Sequence, residues 1–318
     1  MRRRDFLIAA AFAAPVFGQG RAPRIGAILF SHENAPTLDG LRAGLKELGV
    51  IEGRDYVLDV VDAAADRRTV EEAARRFERE KVALLFATPT SGAVPAVRAT
   101  KEVPVFFTVG TDPLAAGLAQ SHAKPGGRAT GILYLTGDLT GKRLELLKDL
   151  LPKMHRVLTV YNPDNPPAQA SVRVGREAAK KLGVELIERH ARSVAEVRAL
   201  IAALKPGEAD AYVQVADALF SSQFEHMIPV AKKIRMPMMV YDQTVVERGA
   251  LMSYGVDIRA VGRQAAKNVQ RLLAGAKPAE LPVETVSQLS FAFNRRTARE
   301  MGLSVPQAML LRADRVIE

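Results

Sequence analysis

The chain has 318 residues, 48% hydrophobic and 25% charged, with a formal net charge of +10. Such a composition supports a buried core and, at roughly 100–200 residues per domain, two domains; it excludes a disordered chain. Cysteine and tryptophan are absent and aromatics are 6%, which removes disulfides, thiol nucleophiles, cysteine metal sites, a lipid-anchored cysteine and an aromatic platform for nucleic acid.

Arg2, Arg3 and Arg4 precede an apolar run from Phe6 to Phe17 that ends in small residues. A membrane-spanning helix needs about 20 apolar residues, more than this run supplies. The basic start, short apolar middle and small-residue end read as a secretory signal over residues 1–18, cut after Gly18. Arg3-Arg4-Asp5-Phe6-Leu7 resembles the twin-arginine export motif. With no cysteine to carry a lipid, the expected location is a Gram-negative periplasm. The signal carries +2, leaving +8 dispersed among acids with no block of five or six like charges. Solvated helix faces account for that better than a nucleic-acid partner does.

Past the signal, the spacing predicts strands at Arg24–Ser31, Tyr56–Val61, Val82–Ala87 and Val103–Val109. Helices at Thr37–Leu48, Arg68–Glu80 and Ser91–Thr100 separate them. The alternation then repeats, with strands at Arg156–Tyr161, Val184–Arg189, Ala211–Val215 and Met236–Tyr241. Its helices fall at Gln169–Leu182, Val194–Leu204 and Ser222–Ile234. This pattern predicts an α/β fold with parallel sheets covered by helices on both faces.

The two series match in detail. Lys46-Glu47-Leu48-Gly49-Val50 parallels Lys180-Lys181-Leu182-Gly183-Val184, Val103-Pro104-Val105 parallels Met236-Pro237-Met238, and Arg24-Ile25 parallels Arg156-Val157, at offsets of 134, 133 and 132 residues. A duplicated lobe follows. The fold expected is two doubly wound parallel-sheet lobes joined by a three-segment hinge, with chain passages near Leu133–Gly137, Gln243–Ser253 and Pro282–Leu289. The predicted N-terminal lobe is 24–134 plus 250–282, and the C-terminal lobe 135–249 plus 283–318. Ligands of such sheets bind beyond the carboxyl ends of the strands, and a hinge permits closure around them.

Candidate site residues sit at those strand ends. Thr88, Thr90 and Ser91 lie where a strand gives way to a helix, where hydroxyls and backbone N–H groups suit a carboxylate or simply cap the helix. Ser31 and His32 end the first strand of the same lobe; His32 either donates to a carboxylate or is a solvated loop residue. Asp112 either pairs with a ligand ammonium or caps the turn after it. In the second lobe Tyr161 and Asn162 follow the first strand, and Asp217 follows the third as the favoured ammonium partner, or as a helix cap. Tyr241 offers an apolar wall and Asp242 a second acid. Hydroxyls on one lobe and acids on the other favour a zwitterion. Phe30 and Phe220 are further candidates for aromatic walls.

Catalytic signals are weak. Histidines 32, 122, 155, 190 and 226 form no His-Glu-x-x-His pair, and no Gly-x-Ser-x-Gly elbow is present. Gly137 to Arg143 is one residue short of a phosphate loop and has Arg143 where a hydroxyl should bind magnesium. Ile258, Val261, Ala265, Val269 and Leu272 repeat at helical spacing and read as core. The expectation is no metal, no cofactor and no catalysis.

The C-terminal third carries Tyr254-Gly255-Val256-Asp257, Gly262-Arg263-Gln264-Ala265-Ala266, the run Leu272 to Pro278, and Leu311 to Glu318; Asp112 to Leu118 stands earlier. Together they resemble the ABC-transporter substrate-binding protein family that includes tryptophan-, tyrosine- and phenylalanine-binding receptors. The resemblance implies the type I periplasmic-binding fold with three hinge strands. It also implies a monomeric receptor that catalyses nothing and hands a small carboxylate, above all an amino acid, to an ABC permease in the inner membrane. Two alternatives stay open: a sensor partner of a signalling receptor, and an exported α/β enzyme. A DNA-binding repressor is disfavoured, since the signal occupies the place of its DNA-binding helices.

Overall fold

The computed structural model describes residues 22–134, 139–286 and 288–318. The predicted signal over residues 1–18 lies outside the described residues, as does most of the predicted passage at Leu133–Gly137.

The first series folds as β1 (Arg24–Leu29), α1 (Ala35–Glu47), β2 (Val57–Asp62), α2 (Arg67–Arg79), β3 (Leu84–Thr88), α3 (Thr90–Ala99), β4 (Val105–Val109) and β5 (Ala129–Tyr134). The second begins with α4 (Thr140–Leu150), β6 (Arg156–Tyr161), α5 (Pro166–Leu182), β7 (Glu185–His190), α6 (Val194–Ala202) and β8 (Ala211–Val213). It continues through α7 (Ala218–Ser221), α8 (Phe224–Lys233), β9 (Met238–Val240), α9 (Gln243–Glu247) and β10 (Met252–Val256). The chain ends with α10 (Ile258–Leu273), β11 (Glu284–Val286), β12 (Leu289–Asn294), α11 (Arg295–Glu300), α12 (Gln307–Arg312) and β13 (Arg315–Ile317).

Two sheets result, ordered β11-β5-β4-β3-β1-β2 and β13-β12-β10-β9-β8-β6-β7. The orders 5-4-3-1-2 and 10-9-8-6-7 are the same arrangement, so the duplication read from sequence is a duplication of topology. The pairings are parallel except β10 with β12, which is antiparallel. Central strands are buried on both faces and read as unbroken apolar runs, whereas β2 and β7 lie at edges and are half-exposed. Along β3, Leu84 and Phe86 join the core under α1 and α10, while Leu85 and Ala87 join the core under α2 and α3. Gly183 ends α5 at φ 65°, a left-handed position that glycine takes without steric cost.

Sheet membership moves two of the expected lobe boundaries. Residues 252–256, expected in the N-terminal lobe, form β10 and pair with β9 and β12 in the second sheet. The passage expected at Gln243–Ser253 instead falls at Asp257, whose Oδ1 accepts the Arg259 N–H at 2.8 Å and caps α10. The short α9 and the strand after it carry too little periodicity to separate them from a linker. Residues 284–286, expected in the C-terminal lobe, pair with β5 and extend the first sheet.

Helix α10 belongs with the first lobe because its glycine face meets that of α1. A Cβ on Gly40 would fall 1.9 Å from the Arg259 carbonyl oxygen, and one on Gly262 would fall 1.9 Å from that of Thr37. The two backbones therefore touch directly. Among the described residues no helix is long and apolar enough to cross a membrane.

Candidate functional site

The carboxyl ends of the two sheets face each other across a cleft. Ala218, at the start of α7, packs against the first-lobe core, and Ala65 packs against the second-lobe core, so the lobes meet. Between them lie two cavities with Tyr134, Ala218 and Tyr241 in the walls of both.

The first cavity is rich in hydroxyls. Thr90 and Ser91 open α3, and Gly110 and Thr111 follow β4. Thr90 Oγ1 lies 3.3 Å from Thr111 Oγ1, which draws the two loops together. The first N–H groups of a helix have no intrahelical acceptor and carry partial positive charge, so this wall suits a carboxylate. Thr88 lies beneath it rather than in it: the side chain is buried and accepts the Thr108 hydroxyl at 2.7 Å.

The second cavity mixes acids and apolar groups. Ser31, Glu33 and Asn34 come from the turn after β1; Gln214, Ser221, Phe224, Asp242 and Val245 come from the second lobe, and Ile258 from α10. Gln214 follows β8 and is buried; its Nε2 donates to Ser221 Oγ at 2.8 Å and its Oε1 accepts the Tyr241 N–H at 3.0 Å. It thereby fixes Tyr241 against α7. The fully buried Arg143 guanidinium lies 5.6 Å from the Tyr241 ring centroid, and its Nε donates to the Tyr254 carbonyl at 2.8 Å. Burial pushes the Tyr241 phenol up to about 12, so the ring is uncharged at neutral pH.

Asp242 caps α9. Its Oδ1 accepts the Thr244 N–H at 2.9 Å and its Oδ2 the Thr244 hydroxyl at 2.8 Å. Burial lifts its carboxyl to about 6 despite those bonds, with Asp257 and Glu33 adding smaller upward pushes. A cation brought beside it would relieve that desolvation cost.

Several expected contacts lie elsewhere. His32 is half-exposed, with Nε2 3.1 Å from Glu33 Oε1, and lines neither cavity. Asp112 is exposed; it pairs with His122 at 3.0 Å and caps the turn through the Leu114 N–H at 3.1 Å, and the His122 hydrogen bond chiefly holds its carboxyl below the ordinary range. Tyr161 donates its hydroxyl to Glu188 at 2.6 Å and packs with Ala168, Val172 and Val215. Asn162 closes its own turn, accepting the Asp164 N–H at 2.9 Å.

Asp217 changes role most. Its Oδ2 accepts the Asn162 N–H at 3.1 Å and the Asn165 side-chain amide at 3.0 Å, while Oδ1 accepts the Phe220 N–H at 2.9 Å. The carboxylate is spent joining the loop after β6 to the start of α7, and it lines neither cavity. Tyr134, Glu33, Asn34, Gln214 and Ser221 were not anticipated. For Gln214 the signal was present, as a polar residue inside the apolar run Ala211–Val215. Among the described residues no group of three or more acids and histidines is arranged to hold a metal ion.

Comparison with known proteins follows this geometry. The family model described as ABC transporter substrate binding protein matches residues 27–317. A Clostridioides difficile protein named tyrosine-binding protein is 30% identical over 273 residues, covering 84% of this chain and 78% of that one. A Streptococcus pneumonia ABC domain solved in complex with L-Trp superposes with a TM-score of 0.81 at 24% identity, covering 93% of this chain and 100% of that one. A ligand-free, open substrate-binding protein with adhesive properties from Clostridium difficile gives 0.63 at 26% identity, covering 93% and 99%.

Proposed function

The chain belongs to the ABC transporter substrate-binding protein family, and on that premise we propose that it is a periplasmic receptor closing on an aromatic amino acid for delivery to an inner-membrane permease. The observation that carries this reading is the pair of contiguous cavities sharing Tyr134 and Tyr241, one hydroxyl-lined and the other acidic. Thr90, Ser91 and the first turn of α3 take the carboxylate, and Asp242 takes the ammonium. Tyr134 and Tyr241 form flat walls, with Phe224, Val245 and Ile258 as apolar surface for the side chain.

Exposed ion pairs contribute about 0–1 kcal/mol, so these charges select a ligand only once closure has removed water. An aromatic side chain buries about 150–250 Å² and supplies the larger share of affinity. The C. difficile tyrosine-binding protein and the L-Trp complex support an aromatic ligand without choosing between the two.

Thermal denaturation with L-tyrosine, L-tryptophan, L-phenylalanine and L-leucine tests the reading. A ligand at 100 times its Kd stabilises the fold by about 2.7 kcal/mol. A raised Tm with one or more aromatic amino acids, and a smaller rise with the corresponding decarboxylated amine, is expected; no response to any amino acid overturns it. For export, replacing Arg3 and Arg4 by lysine should hold a reporter fusion in the cytoplasm.

A further inference from the structure

We infer that Glu33 and Arg248 form an interlobe clasp that sets ligand affinity by holding the cleft shut, an inference that rests on the receptor reading above. Glu33 belongs to the turn after β1 in the first lobe, and Arg248 ends α9 in the second. Arg248 Nη1 donates to Glu33 Oε1 at 2.9 Å and Nη2 lies 2.7 Å from Oε2, a two-pronged fork between residues 215 apart in sequence. The Glu33 side chain is only 8% exposed. Such a bidentate, partly desolvated pair is stronger than a single solvated contact.

The neighbouring residue repeats the device with opposite sign. Glu247 lies 3.6 Å from Arg259 of α10, in the first lobe, and Arg315 of its own lobe steadies it at 2.7 Å. Two adjacent residues at the end of α9 thus each pair with a counter-charge of the first lobe, Glu247 beside the passage at Asp257 and Arg248 at Glu33. Separating the lobes parts the Arg248–Glu33 pair.

The clasp is continuous with the ligand site at both ends. Glu33 lies in the cavity wall with Ser31 and Asn34, while α9 runs from Asp242 in that wall to Arg248. Affinity scales with the fraction of molecules in the binding-competent arrangement, so a contact present only in the closed form raises affinity without touching ligand. Arg248 lines neither cavity, which separates its effect from a ligand contact.

The test is calorimetric titration of L-tyrosine and L-tryptophan into the mature chain, into Arg248→Ala and into the conservative Arg248→Lys. Arg248→Ala is expected to bind about fivefold or more weakly, with less salt dependence than the wild type, and Arg248→Lys to recover part of the loss. Arg248→Ala within about twofold of wild type overturns the clasp. If the wild type binds neither amino acid, the receptor reading fails separately, and small-angle scattering of ligand-free protein decides the clasp. A larger radius of gyration for Arg248→Ala than for wild type supports it, and superimposable curves overturn it.

Discussion

A Cβ added to Gly255 would lie 2.2 Å from the carbonyl oxygen of Tyr241. Gly255 is the penultimate residue of β10, which pairs in parallel with β9 through Ser253 and Val240, so the strand edge passes directly beside the loop that presents Tyr241. The obstacle is backbone, which no change of rotamer relieves. A bare strand position of this kind marks close approach of another chain segment. Gly255→Ala should therefore push Tyr241 out of both cavities. We expect a loss of about 1–3 kcal/mol in denaturant unfolding, the ordinary cost of overpacking, together with at least tenfold weaker ligand binding. Unchanged affinity would show that Tyr241 does not shape the ligand's position.

Asp242 supplies a pH signature. Burial raises its carboxyl to about 6, above the roughly 3.9 of an unfolded chain. The folded state therefore binds the proton more tightly than the unfolded state does. Its contribution to stability is full below about pH 4 and is lost as pH rises through about 6. Asp242→Asn removes this titration while keeping an acceptor for Thr244. The variant should be more stable than wild type at pH 7.5 by up to roughly 2–3 kcal/mol, and flatter between pH 4 and 6. Its affinity for a zwitterionic amino acid should fall at the same time. Stability and binding moving in opposite directions separates a ligand contact from a purely structural cap; a parallel loss of both argues against the ammonium assignment.

The lobes were legible in the sequence because the residues that make them act locally. The apolar runs of the central strands, Gly49 and Gly183 at helix ends, and the repeated Val-Pro-Val and Met-Pro-Met strand starts each determine their own segment. The site was legible only in part. Thr90, Ser91, Tyr241 and Asp242 follow strand ends and meet the cleft, but Asp112, Tyr161, Asn162 and Asp217 follow strand ends too and turn away. What separates Asp242 from Asp217 is the partners offered by a distant segment, the Asn165 side chain and the amide of Asn162 in the latter case, since both acids also cap the helix that follows them. Residue type at a strand end carries no such information. Tyr134 and Glu33 were hidden for the opposite reason, since a strand terminus and a charged turn residue have ordinary local explanations.

The reassignment of Asp217 has its own consequence. Asp217→Ala leaves the buried Phe220 N–H, and the half-buried Asn162 N–H and Asn165 amide, without their acceptor. Unsatisfied buried donors cost about 1–3 kcal/mol each when water cannot replace the lost partner. Thermal unfolding should therefore fall by several degrees, while the affinity of the folded fraction changes by less than about threefold. The reverse pattern, intact stability with binding reduced tenfold or more, would return Asp217 to the ligand.

Thr90 and Ser91 test the other end of the ligand. Both residues line the first cavity, and Thr90 makes a long side-chain bond to Thr111 at 3.3 Å. Replacing both by alanine removes little from the folded protein, so its Tm without ligand should stay close to wild type. Binding of L-tyrosine or L-tryptophan should weaken about tenfold, close to 1.4 kcal/mol. The matching control is the decarboxylated amine, tyramine or tryptamine, which lacks the carboxylate. It should bind wild type and variant equally, so the cycle of two proteins and two ligands isolates the carboxylate contact. If amine and amino acid lose affinity in equal measure, the hydroxyls shape the cavity without meeting the carboxylate, and the amides of α3 hold it alone.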